Sequence, residues 1–346
     1  MKSIYNFTYK KLNQFLIENN KKTYLASQIF DWIYVKLIND FSNCTNLSKE
    51  TIIWLKDNFN LSKPKIVKTS IDSTDGTVKF LLELNGGHIV ETVLMKFTYG
   101  YSVCVTTQVG CNMGCNFCAS GLIKKVRNLN IEEIIGQIII SSEWLIKKNN
   151  SKISRIVVMG IGEPFDNYDN LLDFLDIVND QKGLNISQRN ITVSTCGIVP
   201  KIKEWAKLKK QYNLAISLHA SNDEIRNQIM PINQAYPLKD LLNAIDYYLS
   251  LHNRRITIEY ILLDKINDHD NHALELVELF KNKLVYINLI PYNRVDEMPQ
   301  FIKSVNVKRF YDILRKNKIT TTIRQERGTK IDAACGQLRY KKIKGD

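Results

Sequence analysis

The sequence predicts an α/β protein, a partial (β/α) barrel preceded by a small helical appendage. Three observations predict this class: helical periodicity near the N-terminus, period-two patterning around two turn signals, and then a long alternation of apolar strands with helices. Repeated βα units require a parallel sheet. Six or seven such units fall short of the eight in a closed barrel, so we expect an open one.

Residues 1–62 are expected to form a helical accessory domain. Apolar residues recur at helical spacing in three stretches, Lys11 to Glu18, Leu25 to Leu37 and Ser48 to Phe59. Ser48 is a favourable residue for the start of the third helix.

Residues 63–98 are expected to form an antiparallel β extension. Asp75-Gly76 and the stretch from Asn85 to Gly87 are turn signals, and they flank the β-rich runs Thr77 to Leu84 and His88 to Met95.

Residues 99–346 are expected to form the barrel and a C-terminal catalytic segment. The predicted strands are Ser102 to Thr107, Arg155 to Met159, Asn190 to Thr195, Asn213 to Leu218, Arg255 to Leu263, Val285 to Ile290 and Thr320 to Arg324. The predicted helices are Ile131 to Lys147, Asn170 to Val178, Lys201 to Lys209, Lys239 to Leu251, Ala273 to Leu279 and Val307 to Arg315. Sites in such folds lie at the C-terminal ends of the strands.

Composition narrows the class of partner. The 346 residues are 44% hydrophobic, and 48 Lys and Arg against 35 Asp and Glu give a net charge of +13, which suits a polyanion such as nucleic acid. An AT-rich genome, which enriches Lys, Asn and Ile, would explain the charge equally well. The odd number of Cys, seven, and the lack of a leader or a long apolar run predict a reducing, cytoplasmic location and no membrane partner.

Three cysteines, Cys111, Cys115 and Cys118, are spaced as C-x3-C-x2-C directly after the first barrel strand. Thiolates suit both iron–sulfur clusters and zinc, but a structural zinc site normally has four ligands. A [4Fe–4S] cluster held by three Cys leaves one iron free to bind a substrate, and we favour it over a zinc knuckle or three core thiols. This spacing matches the signature of radical S-adenosylmethionine (AdoMet) enzymes.

Several polar residues follow the ends of later strands and could hold a small molecule. They are Gly162, Glu163, Ser194, Ser217, Leu218, His219 and Asn293. The glycine would let the backbone approach a ligand, and the carboxylate could accept from an ammonium group. Each taken alone would more often be an ordinary turn residue.

Four further cysteines are Cys44, Cys104, Cys196 and Cys335. A free Cys is usually a small buried hydrophobe, and we keep that interpretation for Cys44 and Cys196. Cys104 lies in the strand before the cluster loop, and Cys335 lies in a segment of small residues after the last strand, where a ligand could approach.

The motifs together resemble the RlmN family of radical AdoMet RNA methyltransferases. The resemblance rests on the three-Cys loop from Gln108, the Gly-Glu-Pro turn at 162–164, Ser217-Leu218-His219-Ala220, the stretch from Met230 to Asn233, and the highly specific segment from Asp332 to Leu338. It covers nearly the whole chain, and it implies a barrel of the radical AdoMet type.

The resemblance implies methylation of carbon-2 of an adenosine in 23S rRNA and in some tRNAs, with a [4Fe–4S] cluster and two AdoMet per turnover. Cys335 would take a methyl group from one AdoMet, and a 5′-deoxyadenosyl radical from the second would remove a hydrogen from it. The carbon radical would add to adenine, Cys104 would resolve the protein–RNA adduct by forming a disulfide, and Glu91 would accept the ring proton. Without the resemblance, Glu91 would be read as an outward strand carboxylate.

The expected partners are 23S rRNA and tRNA, an electron donor for the cluster and a thiol reductant for the Cys104–Cys335 disulfide. The protein itself is expected to be a monomer. Basic residues at 124–127, 207–210 and 339–344 could bind phosphate or be solvated surface, and we favour phosphate near the two catalytic loops.

Two rival functions remain. A Cfr-type enzyme would methylate carbon-8, but its pattern lacks a proline where Pro164 stands; a noncatalytic RNA-binding protein would use a metal knot and no AdoMet.

Overall fold

The computed structural model of the protein describes residues 1–338. The N-terminal part contains β1 (Lys2–Ser3), α1 (Tyr9–Glu18), α2 (Tyr24–Phe30), α3 (Lys49–Asn58) and β2 (Phe59–Asn60). The third helix begins as predicted, since the Ser48 hydroxyl accepts from the backbone N–H of Thr51. The second predicted helix is present but ends differently, because α2 continues into a wider π-helical turn over Asp31–Val35.

The antiparallel extension consists of β3 (Lys65–Ile71), β4 (Val78–Glu83) and β5 (Ile89–Phe97), followed by β6 (Gly100–Cys104). Buried and half-buried residues alternate along β4, which is the pattern of a strand with one face against the core. The two predicted turn signals separate these strands.

The later strands are β7 (Gln108–Val109), β8 (Arg127–Asn128), β9 (Ile153–Val158), β10 (Ile191–Thr195), β11 (Asn213–Ser217), β12 (Ile256–Leu262), β13 (Val285–Pro291) and β14 (Thr321–Ile323). The later helices are α4 (Ile131–Asn149), α5 (Tyr168–Asn179), α6 (Val199–Lys207), α7 (Asp223–Ile229), α8 (Leu238–Leu251), α9 (Asp270–Phe280) and α10 (Val307–Lys316). The sequence analysis did not predict α7, which is short and follows polar residues.

A ten-stranded sheet links the barrel and the extension, in the order β14-β13-β12-β11-β10-β9-β6-β5-β4-β3. Strands β6 and β9 to β14 pair in parallel, and β3 to β6 pair antiparallel. The two edges, β14 and β3, are not paired with each other, so the barrel is partial, as the sequence predicts.

The N-terminal helices pack on the same hydrophobic core as the barrel. Asn6 joins the two parts, because its side-chain amide donates to Glu132 at 3.0 Å and its carbonyl oxygen accepts from the Glu132 backbone at 2.9 Å. None of the helices within residues 1–338 combines the length and apolarity needed to span a bilayer.

Candidate active site

A cavity of about 550 Å³ runs through the inside of the barrel, large enough for a cofactor-sized molecule. Its wall includes Glu163 and Cys196 beyond the carboxyl ends of two strands, and Thr192, Thr257 and Tyr286 near the amino ends of three. Inward-facing residues alternate along each strand, so the cavity extends along the strands from their carboxyl ends towards their amino ends.

The three cysteines of the loop after β7, Cys111, Cys115 and Cys118, all line this cavity. Backbone hydrogen bonds hold the loop, with Cys111 donating to Ile123 at 2.9 Å and Asn116 donating to Ile229 at 3.0 Å. Burial raises the pKa of the Cys111 thiol to about 11, partly offset by a hydrogen bond from Met113, and the neighbouring Cys118 raises it further.

This donor set fits an iron–sulfur cluster. Thiolates are the ligands that such clusters take, and a cubane offers each thiolate a different iron, so its ligands need not converge on one point. Within residues 1–338, no group of three or more His, Cys, Asp or Glu side chains is gathered around a single metal-ion position.

The turn at Gly162 and Glu163 forms the adjacent wall. Gly162 has a φ of +105°, and a Cβ there would lie 2.6 Å from the Gln108 side chain, so glycine is required for this close approach. The buried Glu163 carboxylate accepts from the backbone N–H groups of Phe165 at 3.0 Å and Cys196 at 2.7 Å. Burial raises the pKa of Glu163, and these hydrogen bonds oppose that rise.

Ser194, Ser217, His219 and Asn293 also line the cavity, whereas the side chain of Leu218 is fully buried in the core. The Ser194 and Ser217 hydroxyls lie 3.3 Å apart. His219 Nδ1 accepts from the Ile261 backbone at 3.0 Å, and burial lowers the pKa of His219 to about 3, so its ring is neutral.

Arg226, on α7, supports this region and was missed by the sequence analysis. It is fully buried, and its guanidinium donates to the backbone carbonyls of Leu218 and Cys196 and to Asn233. A buried arginine needs such acceptors, and their positions depend on tertiary contacts.

Cys104 and Cys335 line the same cavity. Both are free thiols. Burial raises the pKa of Cys104 to about 12, with Cys335 adding to that rise and Arg324 opposing it. Burial also raises the pKa of Cys335, again opposed by Arg324. Arg324 and its ion-pair partner Glu259, 3.8 Å away, are cavity residues that the sequence analysis did not select.

The segment that carries Cys335 is bound to the cluster loop. The Ala119 N–H donates to the Gly336 carbonyl at 2.8 Å, and the Ser120 hydroxyl donates to the Leu338 carbonyl at 2.9 Å. The Asn293 amide donates to the Cys335 carbonyl at 3.2 Å. These contacts fix the cysteine over the cavity.

The turn between β3 and β4 holds the other side of that segment. The carboxylates of Asp72 and Asp75 accept from the backbone N–H groups of Lys330 at 3.2 Å and Gly328 at 3.0 Å. Lys79 donates to the Asp332 carbonyl at 3.1 Å. The antiparallel extension is therefore part of the site.

Glu91 forms an ion pair with Lys79 at 2.9 Å and is buried. It shares one face of β5 with Val93 and Met95, which line the cavity, but Glu91 itself is not part of the cavity wall. Lys79 thus connects the Glu91 carboxylate to the Asp332 carbonyl, in the segment that carries Cys335.

Two of the three basic residues after the cluster loop, Lys125 and Arg127, form ion pairs within the protein. Lys125 pairs with Asp166 at 2.7 Å, and Arg127 forms two hydrogen bonds of 2.7 Å with Glu133. The residues Arg339, Lys341, Lys342 and Lys344 lie outside the described part of the chain.

Two family models match the sequence. That of the radical SAM superfamily covers residues 105–277, and that of the ribosomal RNA large subunit methyltransferase N-terminal domain covers residues 2–60. A relative from Malacoplasma penetrans, named a probable dual-specificity RNA methyltransferase RlmN, is 57% identical over 99% of this chain and 97% of its own. The chain belongs to the RlmN family of radical SAM methyltransferases.

Further comparisons agree with this family. Relatives of the same printed name from Oceanobacillus iheyensis and Spiroplasma citri are 53% and 52% identical, each over 99% of this chain and 98% of theirs. The crystal structure of a radical SAM methyltransferase from Sphaerobacter thermophilus matches with a TM-score of 0.93 and 37% identity, covering 98% of this chain and 99% of that one. The expected family, fold and enzyme class are confirmed, together with a [4Fe–4S] cluster and AdoMet as the cofactors of the superfamily.

Proposed function

We propose that this RlmN family enzyme methylates carbon-2 of an adenosine in 23S rRNA and in tRNA. One observation carries the residue-level proposal: Cys104 and Cys335 line the same cavity as the three-cysteine loop. The relatives are named for dual specificity towards RNA, which supports both substrates. The net charge of +13 favours a polyanionic partner.

We propose that Cys111, Cys115 and Cys118 ligate the cluster, and that Gly162, Glu163, Ser194, Ser217, Leu218, His219 and Asn293 bind AdoMet, Leu218 through its backbone. When bound, the cluster and two AdoMet molecules supply a methyl group for one step and a hydrogen-abstracting radical for the other. The buried Ser194 and the half-buried Ser217 offer hydroxyls to a ribose or a carboxylate.

Three further side chains have proposed chemical functions. Cys335 Sγ accepts the methyl group and carries the carbon that becomes bonded to adenine. Cys104 Sγ then attacks Cys335 Sγ, and the bond between Cys335 Sγ and the transferred carbon breaks. The carbon keeps that electron pair and takes up a proton, which releases the methylated base and leaves a disulfide. Glu91 accepts the ring proton, and the Lys79 ammonium beside it balances its charge.

The enzyme is proposed to be a cytoplasmic monomer that needs an electron donor for the cluster and a thiol reductant for the disulfide. We also propose three units at 1–62, 63–98 and 99–346. The match of the N-terminal family model to residues 2–60 supports the first boundary.

Mass spectrometry of nucleosides from treated rRNA and tRNA tests the proposal. The expected product is 2-methyladenosine, and Cys335→Ala should form none although it still binds AdoMet. A yield of 8-methyladenosine would instead assign a Cfr-type activity, and no methylated adenosine from fully loaded enzyme would refute the proposal.

A further inference from the structure

Four side chains form a column at the amino-terminal end of the barrel. The Arg155 guanidinium lies 3.8 Å from the centre of the Tyr99 ring, and the Tyr99 and Phe97 rings are stacked 4.9 Å apart at an angle of 8°. The Arg327 guanidinium lies 4.6 Å from the centre of the Phe97 ring. The order is therefore cation, ring, ring, cation.

The arrangement of this column is not one that mainly stabilises the fold. Tyr99 is 44% exposed, and Arg155 is exposed as well. Within residues 1–338, neither arginine forms an ion pair with a carboxylate, whereas Lys125, Arg127 and Arg324 do. The Nε of Arg327 is buried and lacks a hydrogen-bond partner in that part of the chain, which is costly for a donor of this kind.

The position of the column connects it to the chemistry. All four side chains line the cavity that also contains Cys104 and Cys335. The cluster loop lies at the carboxyl end of the strands, whereas Arg155 lies in the first half of β9, towards their amino ends. An RNA strand that places one base beside Cys335 would bring its neighbouring nucleotides to an opening of the same cavity.

We propose that an unpaired base next to the target adenosine stacks on Tyr99, in place of the Arg155 guanidinium, which then binds a backbone phosphate. This inference rests on the proposed RNA substrate. A planar guanidinium at 3.8 Å occupies the space of a stacked base, and unpaired bases stack on aromatic side chains in proteins that bind single-stranded RNA. The arginine side chain is long and exposed, and its planar guanidinium suits a phosphate group.

Binding of a stem-loop RNA, with the target adenosine in its loop, tests the inference. Tyr99→Ala should raise the Kd about tenfold, whereas Tyr99→Phe, which keeps the ring, should bind like the wild type. Arg155→Ala should reduce the slope of log Kd against log salt by about one. Arg309→Ala is the matched control, because Arg309 is an exposed arginine on an outer helix, paired with Asp270.

Abasic RNAs separate stacking from a general loss of binding. A base is removed in turn from each nucleotide flanking the target, and the Kd is measured for the wild type and for Tyr99→Ala. At one position the abasic RNA should weaken wild-type binding about tenfold and leave the variant unaffected. The inference would be overturned if Tyr99→Ala left the Kd unchanged. It would also be overturned if Tyr99→Ala raised the Kd by the same factor for the intact RNA and for every abasic RNA.

Failure of the proposed function gives a different result. The Kd is measured without AdoMet, so it does not depend on turnover. If the wild type makes no 2-methyladenosine, the proposed function fails; if it makes that product but shows no coupling between Tyr99 and a flanking base, only the stacking inference fails.

Discussion

The burial of Cys104 predicts how fast the protein–RNA adduct is resolved at each pH. Only a thiolate attacks a sulfur efficiently, and burial raises the pKa of this thiol from 9.0 to about 12. With both thiols free, the shift of about three units corresponds to about 4 kcal/mol against the thiolate. In the adduct Cys335 carries no thiolate charge, but burial, the larger cause, still keeps the Cys104 thiolate a very small fraction at pH 8. The rate of adduct decay should therefore rise about tenfold for each pH unit from 7 to 9.

The sign follows from the direction of the shift. A raised pKa means that the folded protein keeps the proton, and the thiolate fraction grows with pH until the folded pKa is reached. The assay is a single turnover with enzyme already methylated on Cys335, quenched at intervals and resolved on a denaturing gel. The adduct band should decay faster at higher pH in the wild type.

Cys104→Ala should accumulate the same adduct without pH-dependent decay, because addition to the base does not need this thiol. Cys44→Ala is the control, since Cys44 is a buried thiol in the N-terminal part, with a pKa raised to about 11 by burial. A decay rate independent of pH, or full turnover by Cys104→Ala, would refute the reasoning.

Three more changes have expected outcomes. Lys79→Met removes the ammonium group that pairs with the buried Glu91 carboxylate at 2.9 Å and should lower the free energy of unfolding by about 2 kcal/mol in urea titration, and Lys79→Arg should restore most of it. Gly162→Ala adds a methyl group 2.6 Å from a side-chain carbon and should lower the melting temperature and AdoMet affinity more than Gly76→Ala, which has a positive φ but open space. Burial lowers the pKa of His219 in the folded protein to about 3, so its contribution to stability is complete above pH 6.5 and is lost as the pH falls towards 3. His219→Gln should therefore lose less free energy of unfolding than the wild type on acidification. Identical acid titration curves for the two proteins would contradict this.

The barrel could be predicted from sequence because its signals are local. Each strand and helix carries its own periodicity, and turn signals such as Asp75-Gly76 act on adjacent residues. The π-helical turn after α2 is not encoded in this way, since the residues Asp31–Val35 continue the helical pattern and only the packing widens the turn.

The site was predictable only in part. Motif resemblance selected Cys104 and Cys335, and both line the cavity. Arg226 and Arg324 could not be found, because their partners lie far away in sequence or are backbone carbonyls that converge only after folding. Leu218 shows the converse problem, because the motif selected it as a site residue but its side chain is buried in the core.

The segment that carries Cys335 lies between the cluster loop and the turn between β3 and β4, and a small number of hydrogen bonds holds it on each side. We expect this segment, residues 328–338, to open as one cooperative unit, at a lower free energy than global unfolding requires. The amides of Ala119, Gly328 and Lys330 should then lose protection against deuterium together. That shared opening would widen the access of a polynucleotide to the half-buried Cys335.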